Sequence, residues 1–221
     1  MLELIQPISK RDQVIRAMKD AILSGTILPG AAIVESKIAQ QLGAGVPLIR
    51  EALIELEHQG FVQRTPYKGT TVTKLSPNDV RSIFALRVEL EALAIEWAKE
   101  HVTDADVEYL TDTIRKMENA AKVLDLPQFY EGDLAFHRKI WSLSNNPYLV
   151  DTLERLVVPL FAFFLMKTSR QHSSYVESAA MHKQIVEALP KKDAAGLREM
   201  FKGFLANWKD DMVVLLFAEE R

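Results

Sequence analysis

Residues 37–72 constrain the fold of this chain more than any other stretch of its 221 residues. A short run of apolar residues at helical spacing ends at Gly43, and a second run extends from Leu48 to Leu56 and stops at Gly60. Glycine is favoured just beyond a helix, because the chain often takes a left-handed conformation there. The pattern therefore predicts two short helices joined by a tight turn.

Two segments with β-forming residues follow the second helix. Phe61 and Val62 precede a polar tip that contains Pro66 and Gly69, and residues 70–73 read Thr-Thr-Val-Thr. Such segments around a Pro/Gly tip predict a β-hairpin. Helix, turn, helix and hairpin form the winged helix-turn-helix, in which the second helix enters the major groove of DNA. The same elements also occur in domains that do not bind nucleic acid, so the pattern alone leaves DNA binding open.

The rest of the chain is predicted to be almost entirely helical. An amphipathic first helix covers residues 8–24, and beyond residue 77 six helical segments follow one another without strand patterns. Consecutive helices joined by short breaks pack as an antiparallel bundle. The expected fold class is mostly α. A winged helix-turn-helix domain at 1–75, with three helices and a β-hairpin wing, precedes an antiparallel six-helix bundle at 76–221.

Composition excludes several classes of protein. The chain is 48% hydrophobic and 26% charged, as in ordinary globular proteins, and it contains no cysteine. Disulfides, thiolate metal sites and cysteine nucleophiles are therefore excluded. The first residues lack the basic start and apolar run of a signal peptide, and the apolar run Leu156–Met166 is too short to span a bilayer. We therefore expect a cytoplasmic protein without membrane association.

Charge is divided unevenly between the two expected domains. Residues 1–75 hold 9 Lys and Arg against 7 Asp and Glu, and the remainder holds 18 against 23. A net charge of about +2 followed by about −5 is consistent with a DNA-binding module joined to an acidic domain.

Three side chains in the bundle form a candidate metal site. Asp133 and His137 lie four residues apart on one predicted helix, so they project from the same face. His182 lies on a later helix. Asp, His and His from different helices suit a divalent transition metal, and imidazole favours Zn, Ni, Fe or Mn. The alternative from spacing alone is core histidines satisfied by hydrogen bonds.

Several motifs of the chain carry a family resemblance. The segment ILSGTILPG at residues 22–30 is followed by IREAL at residues 49–53 and GFV at residues 60–62. In this order and spacing they resemble the winged-helix domain of GntR-family transcription regulators. The helices beyond Pro77 resemble the FCD-type ligand-sensing domain of that family's FadR subfamily. The resemblance implies a regulator without enzymatic activity, a homodimer on a palindromic double-stranded DNA operator that responds to a small carboxylate effector.

The resemblance also implies which residues contact DNA. They lie at the start of the first short helix, on the second helix and at the wing tip, namely Ser36, Lys37, Pro47, Arg50, Lys68, Gly69 and Thr70. Lys37 and the helix start are suited to a phosphate. The alternative for Arg50 is an ion pair with Glu51 or Glu55, and the alternative for the wing tip is a solvated turn.

The turn before the second helix departs from the family pattern. The family usually has Ser-Arg-Thr-Pro where this chain has Gly45-Val46-Pro47-Leu48. Glycine is tolerated at the N-cap and proline at the first helical position, so the helix can still begin. Val46 offers only apolar contact, whereas an arginine can bind guanine with roughly 1–3 kcal/mol of discrimination. We therefore expect weaker or differently specified DNA binding.

The metal pattern of the FadR subfamily is incomplete in this chain. Many members bind one metal through Asp-x-x-x-His and two further histidines. Asp133, His137 and His182 match the first three positions, and the fourth falls at Phe204, which cannot bind a metal. Asn207, one turn later, is a weak substitute. The resemblance thus implies either a three-ligand metal site completed by water or an effector carboxylate, or a metal-free pocket.

Arg87 is a charged residue in an apolar helical run. Matching subfamily members place an arginine there that faces the cavity, and a planar guanidinium suits a carboxylate. The alternative is a pair with Glu91, four residues on, at the outer face of the helix. The candidate effector-binding residues are Arg87, Tyr130, Phe136, Phe204 and Asn207.

Two other functions are compatible with the sequence. In a metal-dependent hydrolase Asp133, His137 and His182 would carry the chemistry, but no separate base such as a His-Glu-x-x-His helix occurs. The other is a small-molecule sensor that no longer binds DNA, which would explain why Val46 stands where the family usually has an arginine.

Overall fold

The computed structural model describes residues 9–168 and 173–217, apart from the side chains of residues 173–174 and 207–211. The chain divides into two compact units, Met1–Lys74 and Leu75–Arg221. Each unit has apolar residues that are almost completely buried. Asn207, one of the expected effector-binding residues, has its side chain outside the described residues.

The described part of the first unit forms the winged helix-turn-helix that the sequence predicts. Its elements are α1 (Lys10–Leu23), β1 (Ala32–Ile33), α2 (Glu35–Leu42), α3 (Val46–His58), β2 (Val62–Thr65) and β3 (Gly69–Val72). The strands form an antiparallel sheet in the order β1-β3-β2. The extended segment before α2 therefore joins the hairpin as a third strand, with Ala32 opposite Thr71.

Helix α3 is held by its apolar face. Ile49, Leu53 and Leu56 recur at helical spacing and are buried, and α3 packs against α1. Gly60 takes a φ of 77°, and the next residue, Phe61, is fully buried. Glycine adopts this left-handed conformation without the cost that a side chain would add.

The start of α3 differs by one residue from the sequence prediction. The helix begins at Val46 with Gly45 as N-cap, so Pro47 is the second helical residue and not the first. The missing N–H of proline is tolerated at either place, because the first amides of a helix have no partner within it. Gly45 offers no side-chain hydrogen bond to those amides.

The second unit is the predicted antiparallel bundle. Its helices are α4 (Pro77–Ala98), α5 (Asp104–Val123), α6 (Leu126–Leu143), α7 (Pro147–Thr168), α8 (Ser173–Ala188) and α9 (Ala194–Phe217). Helix α4 packs against α6, α7 and α9, and α5 packs against α6 and α8. None of the described helices is long and apolar enough to cross a membrane.

Local sequence fixes where the bundle helices begin and how closely they approach. Ser76 caps α4, and its hydroxyl and the Asp79 carboxylate satisfy each other's backbone amides. On α6, Gly132 lies against Met117 of α5, where an added Cβ would come within 2.7 Å of the Met117 side chain. This glycine allows α6, which carries Asp133, to lie close to α5.

Candidate functional site

The second unit contains a cavity of about 60 Å³ between α4, α6, α7, α8 and α9. For comparison, an apolar cavity of about 150 Å³ can bind benzene. The polar residues that line it are Arg87, Asp133, His137, Ser178 and His182. The apolar residues that line it are Phe84, Leu160, Phe161, Phe164, Met181, Ile185, Phe201, Phe204, Leu205 and Met212. The cavity is therefore small, with a polar cluster in an apolar wall.

Asp133, His137 and His182 converge at this cavity. Nε2 of His182 lies 3.2 Å from Nε2 of His137 and 3.0 Å from Oδ1 of Asp133. Nε2 of His137 lies 3.9 Å from the same oxygen. The spacing of four residues places Asp133 and His137 on one face of α6, and α8 brings His182 opposite them. The structure thus unites the three residues that the sequence selected.

The other nitrogen of each imidazole has an acceptor. Nδ1 of His182 lies 2.6 Å from the backbone oxygen of Ser178, and Nδ1 of His137 lies 2.9 Å from Oε1 of Glu91. Both oxygens accept hydrogen bonds, so the proton of each neutral ring belongs on Nδ1. Both Nε2 atoms then keep their lone pairs. They lie beside Oδ1 of Asp133, a buried oxygen to which no described group makes a well-aligned hydrogen bond.

This group of three electron-rich atoms fits a cation. Burial raises the pKa of Asp133, but the imidazoles of His182 and His137, when each carries a second proton in place of a metal ion, and the guanidinium of Arg87 lower it below its ordinary value. Asp133 is therefore ionised at neutral pH. Bonds of about 2.0–2.1 Å in a tetrahedral site separate neighbouring ligand atoms by about 3.3 Å. Two of the spacings found here, 3.2 and 3.0 Å, are close to this value, and the third is longer, at 3.9 Å. The donor set suits a divalent transition metal, because imidazole and carboxylate are common ligands for such ions.

Glu91 belongs to the site and is buried, so the outer face of α4, where the alternative for Arg87 put their pair, is wrong. Its carboxylate is buried and accepts hydrogen bonds from Nε of Arg87 at 2.7 Å and Nε1 of Trp141 at 3.0 Å, in addition to the Nδ1 of His137. Burial raises the pKa of Glu91, but Arg87 and His137 lower it well below its ordinary value. One carboxylate therefore holds the arginine and orients a candidate metal ligand.

Arg87 faces the cavity, as the resemblance implies, and it also forms the pair with Glu91 that was its alternative. The carbon of its guanidinium lies 4.6 Å from the ring centre of Phe161 and 5.4 Å from that of Phe84. Within the described part of the chain, Nε is its one nitrogen with a hydrogen bond. Its two terminal nitrogens therefore keep N–H groups for an acceptor inside the cavity.

The expected aromatic residues do not all line the cavity. Phe204 lies in its wall, whereas Phe136 and Tyr130 do not. Phe136 is buried in the apolar core behind the imidazoles, with its ring centre 4.6 Å from that of His182 in an edge-to-face contact. Tyr130 lies one turn before Asp133 and is buried, which raises its pKa. Both are core residues that support the site from outside the cavity.

The first unit has a second concave surface, a groove of about 380 Å³. The residues that line it are Ile33, Glu35, Ser36, Val46, Arg50, Gly69 and Thr70. Four of the seven residues expected to contact DNA therefore surround one groove. Lys37, Pro47 and Lys68 are exposed but do not line it, and Thr70 is buried.

Arg50 forms an ion pair across this groove. Its Nε lies 2.6 Å from Oε2 of Glu35, the first residue of α2. The ion pair that was the alternative for Arg50 is therefore present, but the expected partners Glu51 and Glu55 are wrong. Glu51 is the next residue and lies about 100° around the helix, and Glu55 pairs with Arg11 at 3.0 Å. The Arg50 side chain remains 62% exposed and accessible to a ligand.

Comparisons with known proteins agree with this architecture. Residues 10–72 match the family described as bacterial regulatory proteins, gntR family, and residues 82–207 match the FCD domain. The HTH-type transcriptional regulator McbR of Escherichia coli (strain K12) is 30% identical over 146 residues, which are 66% of each chain. The HTH-type transcriptional repressor RspR of the same strain is 26% identical over 85% of this chain and 81% of its own.

Solved structures share the fold. Escherichia coli McbR/YncC matches 97% of this chain and 100% of its own, with a TM-score of 0.70 and 25% identity. A putative transcriptional regulator GntR from Rhodococcus sp. RHA1 covers 93% of this chain and 98% of its own, with a TM-score of 0.66 and 20% identity. This chain belongs to the GntR family of transcription regulators, in the branch that carries an FCD domain.

Proposed function

We propose that this chain is a regulator whose affinity for its operator is set by a small organic acid, bound together with a divalent metal in the bundle. The supporting observation is one cavity in which unpaired lone pairs and unpaired N–H donors occur together. The donors belong to Arg87, and the lone pairs belong to Asp133, His137 and His182. A chain that also carries a winged helix-turn-helix can connect occupancy of this cavity to DNA.

On the DNA side, α3 enters the major groove and Arg50 is its main cation. The start of α2 at Ser36 and Lys37 and the wing at Lys68 and Gly69 contact the backbone. Two copies of the chain bind a palindromic operator, because the two-fold symmetry of a homodimer matches two half-sites. Val46 gives the helix an apolar contact where the family usually has an arginine.

On the effector side, Asp133, His137 and His182 hold the ion. When bound, the metal supplies a Lewis-acidic centre for an oxygen ligand. The terminal nitrogens of Arg87 donate hydrogen bonds to the carboxylate of the acid, and the phenylalanine-rich wall excludes water from it. Phe204 provides no ligand atom, which leaves a coordination position for the acid or water.

The signal reaches DNA through differential affinity. An acid that binds one arrangement of the dimer better than another shifts the population towards that arrangement and changes operator affinity. Ser76, two residues after the end of the winged unit, caps α4, and Pro77 begins this helix, which carries Arg87 and Glu91. We propose this junction as the hinge.

The test is fluorescence anisotropy of a labelled duplex from the upstream region of the gene, at two salt concentrations. We expect binding that prefers this sequence and that weakens steeply with salt, because Lys and Arg replace counterions on phosphates. A panel of small acids should then change the affinity of zinc-loaded protein. Operator binding that no acid alters would contradict the effector part of the proposal.

A sensor that has lost DNA binding is the second candidate. Two observations favour it, since Val46 replaces a cation and Glu35 already neutralises Arg50 at 2.6 Å. This candidate predicts no duplex binding at low salt by folded protein, together with acid binding in the bundle. The same titration therefore separates the two functions.

A further inference from the structure

The charges around the cavity leave room for a single anion. Among the described residues of the cavity wall, Arg87 is the one permanent cation, and the Glu91 carboxylate 2.7 Å away cancels it. Asp133 contributes one negative charge. A divalent ion on Asp133, His137 and His182 brings the total to +1. One carboxylate makes the occupied site neutral, whereas a second one leaves a buried negative charge without compensation.

The rest of the cavity wall has few hydrogen-bonding side chains for a second polar group of the ligand. Apart from the charged cluster and the histidines, Ser178 is the one residue of the described lining with a polar side chain. The remaining ten residues are Phe, Leu, Met and Ile. A buried carboxylate or hydroxyl without a hydrogen-bond partner is costly. The part of the ligand beyond its carboxylate therefore meets apolar contacts.

Space sets the size of that apolar part. The cavity has a volume of about 60 Å³, less than half of the volume that accommodates benzene in another protein. The ring of Phe204 lies in the wall on the α9 side and takes up room without adding charge or a ligand atom. A carboxylate of about the size of acetate fills such a space, and a tricarboxylate does not fit it.

We infer that the effector is a short, apolar monocarboxylate, and that dicarboxylates and tricarboxylates are rejected. This inference rests on the proposed function, because it takes the cavity as the effector site and assumes a divalent ion in it. Selectivity comes from Glu91, which removes the positive charge that Arg87 would otherwise offer to a second carboxylate. The phenylalanines then favour a ligand tail without polar groups.

The experiment is calorimetric titration of full-length, zinc-loaded protein with acetate, malonate and acetamide. Malonate is acetate with a second carboxylate, and acetamide is acetate without the charge. We expect acetate to bind about tenfold more tightly than malonate or better, because a second buried charge costs at least the corresponding free energy. Acetamide should not bind, because it lacks the negative charge. Zinc content is measured in the same samples.

The outcomes separate this inference from the proposed function. Malonate that binds as tightly as acetate overturns the inference and leaves an acid-binding regulator. Failure of both acids to bind protein that holds one zinc per chain overturns the effector part of the proposed function and the inference with it. Tight acetamide binding also overturns the inference, because the carboxylate would then contribute nothing.

A substitution tests the role of Glu91 directly. In Glu91→Gln at saturating zinc, Arg87 is no longer neutralised, so we expect the preference for acetate over malonate to fall about tenfold. The matched control is Glu154→Gln, which removes a carboxylate bound to Arg138 at 2.6 and 2.7 Å elsewhere in the bundle. An unchanged preference in folded Glu91→Gln protein would contradict the assigned role. If that variant does not fold, the comparison of acetate with malonate still decides the inference.

Discussion

Nε2 of His137 and Nε2 of His182 face each other across 3.2 Å, and in the neutral rings neither nitrogen carries the proton. Two lone pairs at this distance repel each other unless a proton or a metal ion lies between them. Oδ1 of Asp133 adds a third pair, 3.0 Å from His182. The arrangement is stable when a cation is shared by all three.

The first prediction concerns metal content. We expect purified protein to bind one zinc ion per chain and His182→Ala to lose that ion, because two remaining ligands do not hold it against dialysis. Elemental analysis after dialysis measures this. The control is His101→Ala, which removes an exposed histidine whose Nδ1 lies 3.1 Å from the backbone oxygen of Trp97. An equal zinc content in the two variants would show that His182 is not a zinc ligand and would contradict the proposed site.

The second prediction concerns the orientation of His137. Glu91→Gln weakens the hydrogen bond that holds Nδ1 of this ring, and loss of such a partner typically costs about 10–100-fold in metal affinity. Competition with a zinc-binding dye measures the change. Glu154→Gln should leave the affinity unchanged. If the two variants bind zinc equally well, Glu91 is merely a structural partner of Arg87.

The third prediction concerns Arg50. Arg50→Ala should weaken operator binding about tenfold or more, since an arginine that reads a base contributes about 1–3 kcal/mol. Arg115→Ala is a matched control, because Arg115 is exposed and pairs with Asp112 at the same 2.6 Å. Anisotropy titrations of both variants against operator and random duplex measure the difference.

The partner of Arg50 can be tested in the same assay. Glu35→Gln removes the charge that competes with DNA for Arg50, so we expect tighter binding to both operator and random duplex. Weaker binding would mean that Glu35 positions the guanidinium for base contact. Either result would identify what the 2.6 Å pair does.

The fourth prediction concerns acid stability of the bundle. Lys139 and Thr103 lower the pKa of Asp106 to about 2, below its ordinary value of 3.8. The unfolded chain therefore binds this proton first as the pH falls. The stabilisation is present above pH 3.8 and is lost as the pH falls towards 2.

Asp106→Asn should accordingly lower the free energy of unfolding near neutral pH by about 0.5 kcal/mol, a small value because solvent screens the ion pair. The difference from the unsubstituted chain should shrink as the pH drops through this window. Urea unfolding followed by far-UV circular dichroism measures it. Asp112→Asn is the control, because Asp112 pairs with Arg115 at a more exposed position, with 49% of its side chain accessible. A difference that grows on acidification would contradict the assignment.

Local sequence was sufficient to predict the helices and the wing. Apolar residues at helical spacing, Gly60 after α3 and the capping residues Ser76 and Thr103 all act within a few residues of the chain. The same locality explains the pairing of Asp133 with His137 on α6. Spacing alone did not show that β1 joins the wing, because the register of a two-residue strand depends on its partner.

The surroundings of the site could not be derived from spacing. Glu91 is four residues from Arg87, a pattern that is common on solvated helix faces. What distinguishes it is that α6 brings His137 and Trp141 to the same carboxylate, and that packing is not encoded locally. Likewise Arg50 binds Glu35, a partner on another helix.

Trp141 turns the hydrogen-bond network around Glu91 into an optical reporter. The three tryptophans of the chain, at positions 97, 141 and 208, all lie beyond residue 75, so indole emission comes from the bundle alone. Nε1 of Trp141 donates to the carboxylate that also holds His137. A metal ion bound to Nε2 of His137 changes the electric field at this indole. Emission from the unlabelled protein should therefore follow filling of the pocket in real time, with no background from the winged unit.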